Sequence, residues 1–338
     1  MQTNSETTPS CLPVSPLGRL KIAITIDDML LLRGVPLAPG HSVPSNVSAI
    51  VAALHSHRVT GVYQFSNTAP AEDDPGLMKI FDTWVENGHH VANHTHHHPP
   101  LNWVDTDTYA RDIEEAEKYL GRYINAAPKR CFRFCMDLWG DTPCKCTAIL
   151  ERLEAMDYTP IPVSIGFHDI RWNAAYCRVL RRGSPDEAAQ LRQAYVDSAL
   201  RELRIHAANA RAVFGRDPVH IWLIHGTSIA ADCLEEILHR FDEAGVEFVP
   251  LDTAMADPMN AEIPPRVSPE FIFQVEKWAL VHGVPVNDRH PAILDQIETL
   301  HPAPGEMQAE ITLRMREHIA SATGACVQPI PLSPDQKH

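Results

Sequence analysis

Nowhere in the 338 residues do about 18 apolar residues follow one another, so the sequence offers no helix able to cross a bilayer. The start, MQTNSETTPSCLPV, has neither a basic leader nor the apolar run of a signal peptide, which sets the expectation of a cytoplasmic protein. Cationic charge is scarce: 29 Lys and Arg stand against 43 Asp and Glu, a net charge of −14. A nucleic-acid partner or an anionic membrane surface calls for a basic patch that this balance does not supply. Neutral or cationic small substrates fit it better. Regular cysteine pairing is missing as well, so the eight scattered cysteines are expected as reduced thiols rather than as a disulfide framework. Cys144 and Cys146 form one local cluster, without the second pair at zinc-finger distance that a structural site needs. No repeat of solenoid period is visible.

Against these absences stands an ordinary globular balance of 44% hydrophobic and 21% charged residues, on a chain long enough for a barrel with an appendage. KIAITID reads as a buried strand because its apolar and β-branched residues run continuously, and it ends in the paired Asp27 and Asp28. Helical and strand patterns then alternate: a helix in SNVSAIVAALHSH, a strand in TGVYQFSN, a helix over 75–87, and a short strand in HHVANHTHHH. A helix over about 105–123, the strand CFRF, the helix CTAILERLEAMD and one strand in YTPIPVSIGF follow. A long helix over about 185–214, the strand VHIWLIHG, a helix and the strand VEFVPLD complete the series. This order implies a parallel sheet with helical crossovers, and about seven such units favour closure into a barrel. Beyond about residue 258 helical stretches continue without strands, giving an accessory segment that packs on the barrel or on a subunit partner and carries no site chemistry. The partition is a leader at 1–19, a barrel at 20–257, and a helical segment with a polar tail at 258–338.

His94 and His98 are four residues apart, so a helical turn or a tight loop can aim both imidazoles one way. Asp28 can complete a three-ligand set with an open fourth position for water, the arrangement of a hydrolytic metal centre. Asp27, Arg133 and His225 also stand at the ends of expected strands, where α/β barrels present their chemistry. His96 and His97 cannot share the aim of the ligand pair and are expected beside the site or exposed, and His89 and His90 are expected at the surface. Core packing is expected for Trp139 and Trp172, and an inert buried thiol for Cys135.

In these motifs the sequence resembles the NodB-homology polysaccharide deacetylases, carbohydrate esterase family 4. TIDDM, HTHHHPPL, FRFCMDLWGD, HDIRW and LIHGT correspond to that family's five motifs, over about residues 20–257. The resemblance implies a distorted, TIM-like (β/α)7 barrel. It implies Asp28, His94 and His98 as metal ligands, Asp27 as base, Arg133 as its partner and His225 as general acid. Departures stand at Met29, where the family has glycine, and at Cys135, where it has proline. In the fourth motif the acidic partner of His225 is Asp169, or the position has become Arg171. The expected cofactor is a divalent ion, zinc first, with cobalt, nickel or manganese also suited to a His2Asp set.

The activity so implied is hydrolysis of a C–N amide bond, as in N-deacetylation of an acetylated amino sugar or similar small acetamide. An imidase or allantoinase-like opening of a cyclic amide keeps the fold and changes the leaving group. A metal-binding protein without catalysis would lack a base or an acid, whereas Asp27, Arg133 and His225 are all present. The expected partners are a small-molecule or oligosaccharide substrate and, through the C-terminal helices, a second copy of the chain; nucleic acid and membrane are not expected.

Overall fold

The computed structural model describes residues 19–325 except 266, 269, 270 and 288–291, so the expected leader and the end of the expected polar tail lie outside the described residues. The fold is built around β1 (Lys21–Asp27), all but the first residue of which is buried. Parallel ladders join it to β2 (Tyr63–Ser66) and, over its whole upper length, to β7 (His220–His225). Outward from β2 follow β3 (His90–Asn93), β4 (Cys131–Phe132) and β5 (Thr159–Pro160). Beyond β7 lies β6 (Ile165–Gly166), and β8 (Glu247–Phe248) pairs with the first residues of β1. Every ladder is parallel, giving the curled sheet of a distorted (β/α)7 barrel. No ladder joins β5 to β6 among the described residues, so the seam between them is open. The single strand expected in YTPIPVSIGF is thus two short ones. Pro160 and Pro162 lack the N–H that a continuous ladder needs, and the chain bends between them.

Helices cover the outer face. Early in the chain these are α1 (Val43–Ser56), α2 (Pro70–Asp73) and α3 (Lys79–Glu86). Next come α4 (Thr106–Ala126), α5 (Pro143–Ala155), α6 (Asp169–Arg182), α7 (Pro185–Phe214) and α8 (Ser228–Glu243). Their limits follow local chemistry: Ser184 caps α7 by accepting from the Glu187 amide, and Gly215 ends it in the left-handed region at φ +67°. The period of the strands splits the core in two. Ile22, Ile24, Ile26, Trp222 and Ile224 pack outward under the helices. Ala23, Phe65, Ala92 and Ile221 face inward, closed below by Leu251 and Ala254 of α9 (Leu251–Met255). Trp172 and Trp139 are buried, as core packing requires. His89 is buried too, against the expectation of a surface residue: it stacks on Trp84 at 4.4 Å and accepts from the Val62 amide at 3.3 Å.

The C-terminal segment comprises α10 (Pro258–Ala261), α11 (Gln274–His282), α12 (Ile293–Glu298) and α13 (Gln308–Thr323). Polar bonds and apolar contacts fasten it to the barrel. Arg178 of α6, fully buried, donates to the carbonyls of Glu298, Leu300 and Glu306 at 2.8, 3.0 and 2.8 Å, satisfying the end of α12. Ile311 and Met315 of α13 pack on Leu32 and Ala174. Lys277 of α11 reaches the buried Asp137 carboxylate at 2.6 Å. No helix among the described residues is long and apolar enough to cross a membrane.

The last of these contacts yields a test. Removing one partner of a buried pair leaves the other charge uncompensated, a loss of about 3 to 5 kcal/mol. Lys277→Ala is expected to lower unfolding free energy in urea by that order, whereas the double change Lys277→Met with Asp137→Leu recovers most of it. Equal stability of Lys277→Ala and the parent would refute the fastening role.

Candidate active site

Register assembles the site. In the parallel ladders Asp27 stands beside His225 on one side and Phe65 on the other, so all three side chains share the inner face. Asn93 stands beside Phe132, and the next residue on each strand is His94 and Arg133. Four chemical groups from four segments therefore reach one end of the sheet.

After β3 the chain forms a tight loop rather than a helical turn, with Thr95 at φ +66° and His98 at φ +62°. Side chains stabilise this backbone by taking its amides. Asn93 accepts from Thr95 N at 2.8 Å, the Thr95 hydroxyl accepts from His98 N at 3.1 Å, and Asp112 of α4 accepts from His96 N at 3.0 Å and His97 N at 2.9 Å. His96 is buried against Thr68 and Glu72, and His97 binds Asp112 at 2.7 Å, so neither joins the ligand pair.

His94 Nδ1 lies 2.8 Å from the Arg133 carbonyl, which can only accept, so Nδ1 carries the proton and Nε2 is free as a ligand. His98 Nε2 is 3.5 Å from one Asp28 oxygen and His94 Nε2 is 4.0 Å from the other. Two ligands at about 2.0–2.1 Å from a tetrahedral ion are themselves roughly 3.3 Å apart; the His98 separation is near that value, and the His94 separation, to the other oxygen, is longer. Asp28 Oδ1 and His98 Nδ1 are buried without a hydrogen-bond partner. Burial lowers His94 to a pKa of about 3 and His98 well below its ordinary value, which keeps both imidazoles neutral as ligands must be. Burial, with Asp27 and Asp169 nearby, raises Asp28 to about 8 despite His225, a cost that a bound cation would remove. The donor set fits a divalent ion. Cys135 adds an alternative donor, grouped with His94 and His98 within 4.8 Å, although burial holds its thiol well above the usual range.

Arg133 is buried, lies 4.0 Å above the Phe65 ring and donates to Asp27 at 2.5 Å and to Thr25 at 2.9 Å. Burial raises the Asp27 pKa while Arg133 opposes the rise. Asp169, the first residue of α6, accepts from the His225 amide at 2.7 Å and from His225 Nδ1 at 3.0 Å. Burial alone would lower the His225 pKa, but the facing carboxylate of Asp169, with Asp28 and Asp27, carries it up to about 9. Arg171 turns elsewhere, to Asp295 at 3.5 Å.

Around these groups lies a cavity of about 300 Å³. Its lining includes His168 of the HDIRW motif and residues that the motifs did not disclose, from the C-terminal segment: Phe271, Phe273, Gln308, Thr312, Met315 and Arg316. The segment expected to pack on the barrel thus also lines the cavity. Phe273 meets the barrel where Gly166 has no side chain: a Cβ there would stand 2.9 Å from its ring. No local signal in the segment points to the site, because its residues arrive only through tertiary packing.

Residues 15–151, which carry Asp27, Asp28, His94, His98 and Arg133, match the polysaccharide deacetylase family. His225 and Asp169 lie beyond the matched stretch. A peptidoglycan-N-acetylglucosamine deacetylase from Bacillus cereus is 30% identical over 114 residues, which is 34% of this chain and 36% of that protein. The match thus spans about a third of the curated relative. Among solved structures, the wild-type CE4 family pseudoenzyme BA3943 from Bacillus anthracis is similar at a TM-score of 0.46 and 15% identity, over 71% of this chain and 66% of that one. Bacillus subtilis PdaA, a family 4 carbohydrate esterase, is similar at a TM-score of 0.43 and 15% identity, over 72% and 82%.

The approach of β7 to the Asp28 turn supplies a test away from the ligands. A Cβ on Gly226 would lie 3.0 Å from Met29 Cα and 3.1 Å from its carbonyl oxygen, main-chain atoms that cannot swing aside. Gly226→Ala is expected to weaken binding of added zinc by about 10- to 100-fold, the loss typical when a ligand's support is disturbed. Calorimetry showing unchanged affinity would disconnect the contact from the site.

Proposed function

We propose that the protein is a metal-dependent hydrolase of C–N amide bonds that removes the acetyl group from an acetylated amino sugar or a similar small acetamide. One observation carries the reading: a candidate ligand set, a base paired with arginine and an acid paired with aspartate meet at one cavity. Asp28, His94 and His98 would hold a divalent ion, zinc first, which when bound supplies Lewis acidity and makes water a nucleophile near neutral pH. Asp27 takes the proton of the attacking water, with Arg133 keeping the carboxylate ionised and aimed. His225, charged at neutral pH, holds its Nε2 proton for the departing nitrogen. The C–N bond breaks, the nitrogen leaves as an amine with that proton, and the acyl group leaves as acetate. Asp169 fixes the ring and sustains its charge.

The roof formed by the C-terminal segment favours small substrates, and for that reason a second reading is retained: opening of a cyclic amide or imide, in which the same bond breaks but the amine stays tethered to the product. Zinc-loaded protein incubated with acetylated amino sugars and with cyclic imides separates the two by acetate release against ring-opened product. Neither product from any substrate would defeat both.

Asp27→Asn is expected to bind zinc at unchanged stoichiometry and lose about 10² to 10⁴ in kcat; turnover equal to the parent would remove the base assignment. Asp28→Ala or His94→Ala is expected to lose the metal, read by elemental analysis after dialysis. For the acid, activity falls as pH rises through the His225 pKa, because only the charged ring donates. Asp169→Asn removes the anion that lifts this pKa, so the alkaline limb of the rate profile is expected to move to lower pH. A limb left in place would assign the proton to another group.

A further inference from the structure

The cations that line the cavity differ in whether they have a counter-ion. Arg133 has Asp27, His225 has Asp169, and Arg171 has Asp295. Arg316 has none among the described residues: its Nε is buried without a hydrogen-bond partner, and its guanidinium carbon lies 5.7 Å from the Trp103 ring. Partial burial pulls its pKa down with no opposing cause. Arg316 stands on α13 one turn beyond Thr312 and two beyond Gln308, so the three share one face of the helix, and all line the cavity. Gln308 donates to the Thr312 hydroxyl at 3.1 Å, while its own amide oxygen is buried and unpartnered. This face is held in place: Gln308 N donates to Glu298 at 2.7 Å, and Ile311 and Met315 are packed on Leu32 and Ala174. A guanidinium presents planar, forked donors that match two oxygens of one oxyanion.

We propose that Arg316 anchors an anionic group of the substrate, so that the acetamide hydrolysed carries a carboxylate or a phosphate apart from its acetyl group. The inference rests on the deacetylase reading and narrows its substrate class. It also runs against the chain's overall negative charge, which favours neutral or cationic ligands; a local, partly buried cation outweighs distant, screened charges. The aspartates come from the sheet ends and Arg316 from the roof, so the geometry points to a substrate bridging the two, its acetamide toward the sheet and its anion toward α13.

Three probes with the same acetamide separate the sources of the anion: N-acetylglucosamine, its 6-phosphate, and N-acetylmuramic acid, which bears a carboxylate. Calorimetry with the zinc-loaded full chain is expected to show at least one anionic probe binding about 10- to 100-fold tighter than the neutral one. In R316Q the ratio is expected to fall toward one, and R316K, which keeps the charge without the fork, to lie between. A preference that survives R316Q, no preference in the parent, or binding of none of the three overturns the anchor. Acetate assayed in the same samples keeps the two ideas apart. Release without anion preference leaves the deacetylase reading standing and the anchor refuted. A preference lost in R316Q with no acetate from any probe leaves the anchor standing and refutes the deacetylase reading.

Discussion

Four carboxylates, Asp27, Asp28, Asp137 and Asp169, are each less than 5% exposed around a single cavity, and the rest of the site is organised by the need to balance them. Buried charge is tolerated only when paired or bound to metal. Asp27 has Arg133, Asp169 has His225, and Asp137 has Lys277. Asp28 faces two imidazoles that burial holds neutral, and the charge of His225, already paired with Asp169, does not offset its burial. The inequality among the four separates their candidate roles: three have a basic side chain at salt-bridge distance, and the fourth is the one that the proposed metal ion would balance.

The pairs are also structural ties between distant parts of the chain. Asp27 and Arg133 join the central strand to β4, Asp169 and His225 join α6 to β7, and Asp137 and Lys277 join the third motif to the C-terminal segment. Each tie crosses the rim of the sheet. Arg133 also reaches the Ile161 carbonyl at 3.4 Å, so the same guanidinium touches the chain just beyond β5.

What was legible beforehand was whatever has a local cause. Paired aspartates closing an apolar run mark a strand end, and Ser184, Pro185 and Gly215 bracket α7. The resemblance supplied the roles to be examined at those positions. Less visible was what depends on contact at a distance. His89 reads as a polar residue before a strand, yet Trp84 and the Val62 amide bury it. Asp112 reads as one acid of an amphipathic helix, yet it holds the backbone of the histidine loop. The cavity lining from α13 could not be read from pattern, since Gln308, Thr312 and Arg316 are unremarkable on a polar helix until Ile311 and Met315 pack it on Leu32 and Ala174.

The division of the cavity between sheet and roof has a bearing on how such a protein diversifies. The candidate reactive groups come from residues 27 to 225, whereas much of the remaining lining comes from residues 271 to 316. Drift in the ceiling can change which molecules are admitted while the reactive end is conserved, and paralogues sharing the same first two motifs can part company in diet through their last helices alone. In such a lineage the tail would record the specialisation of each descendant, and the strand ends its common ancestry.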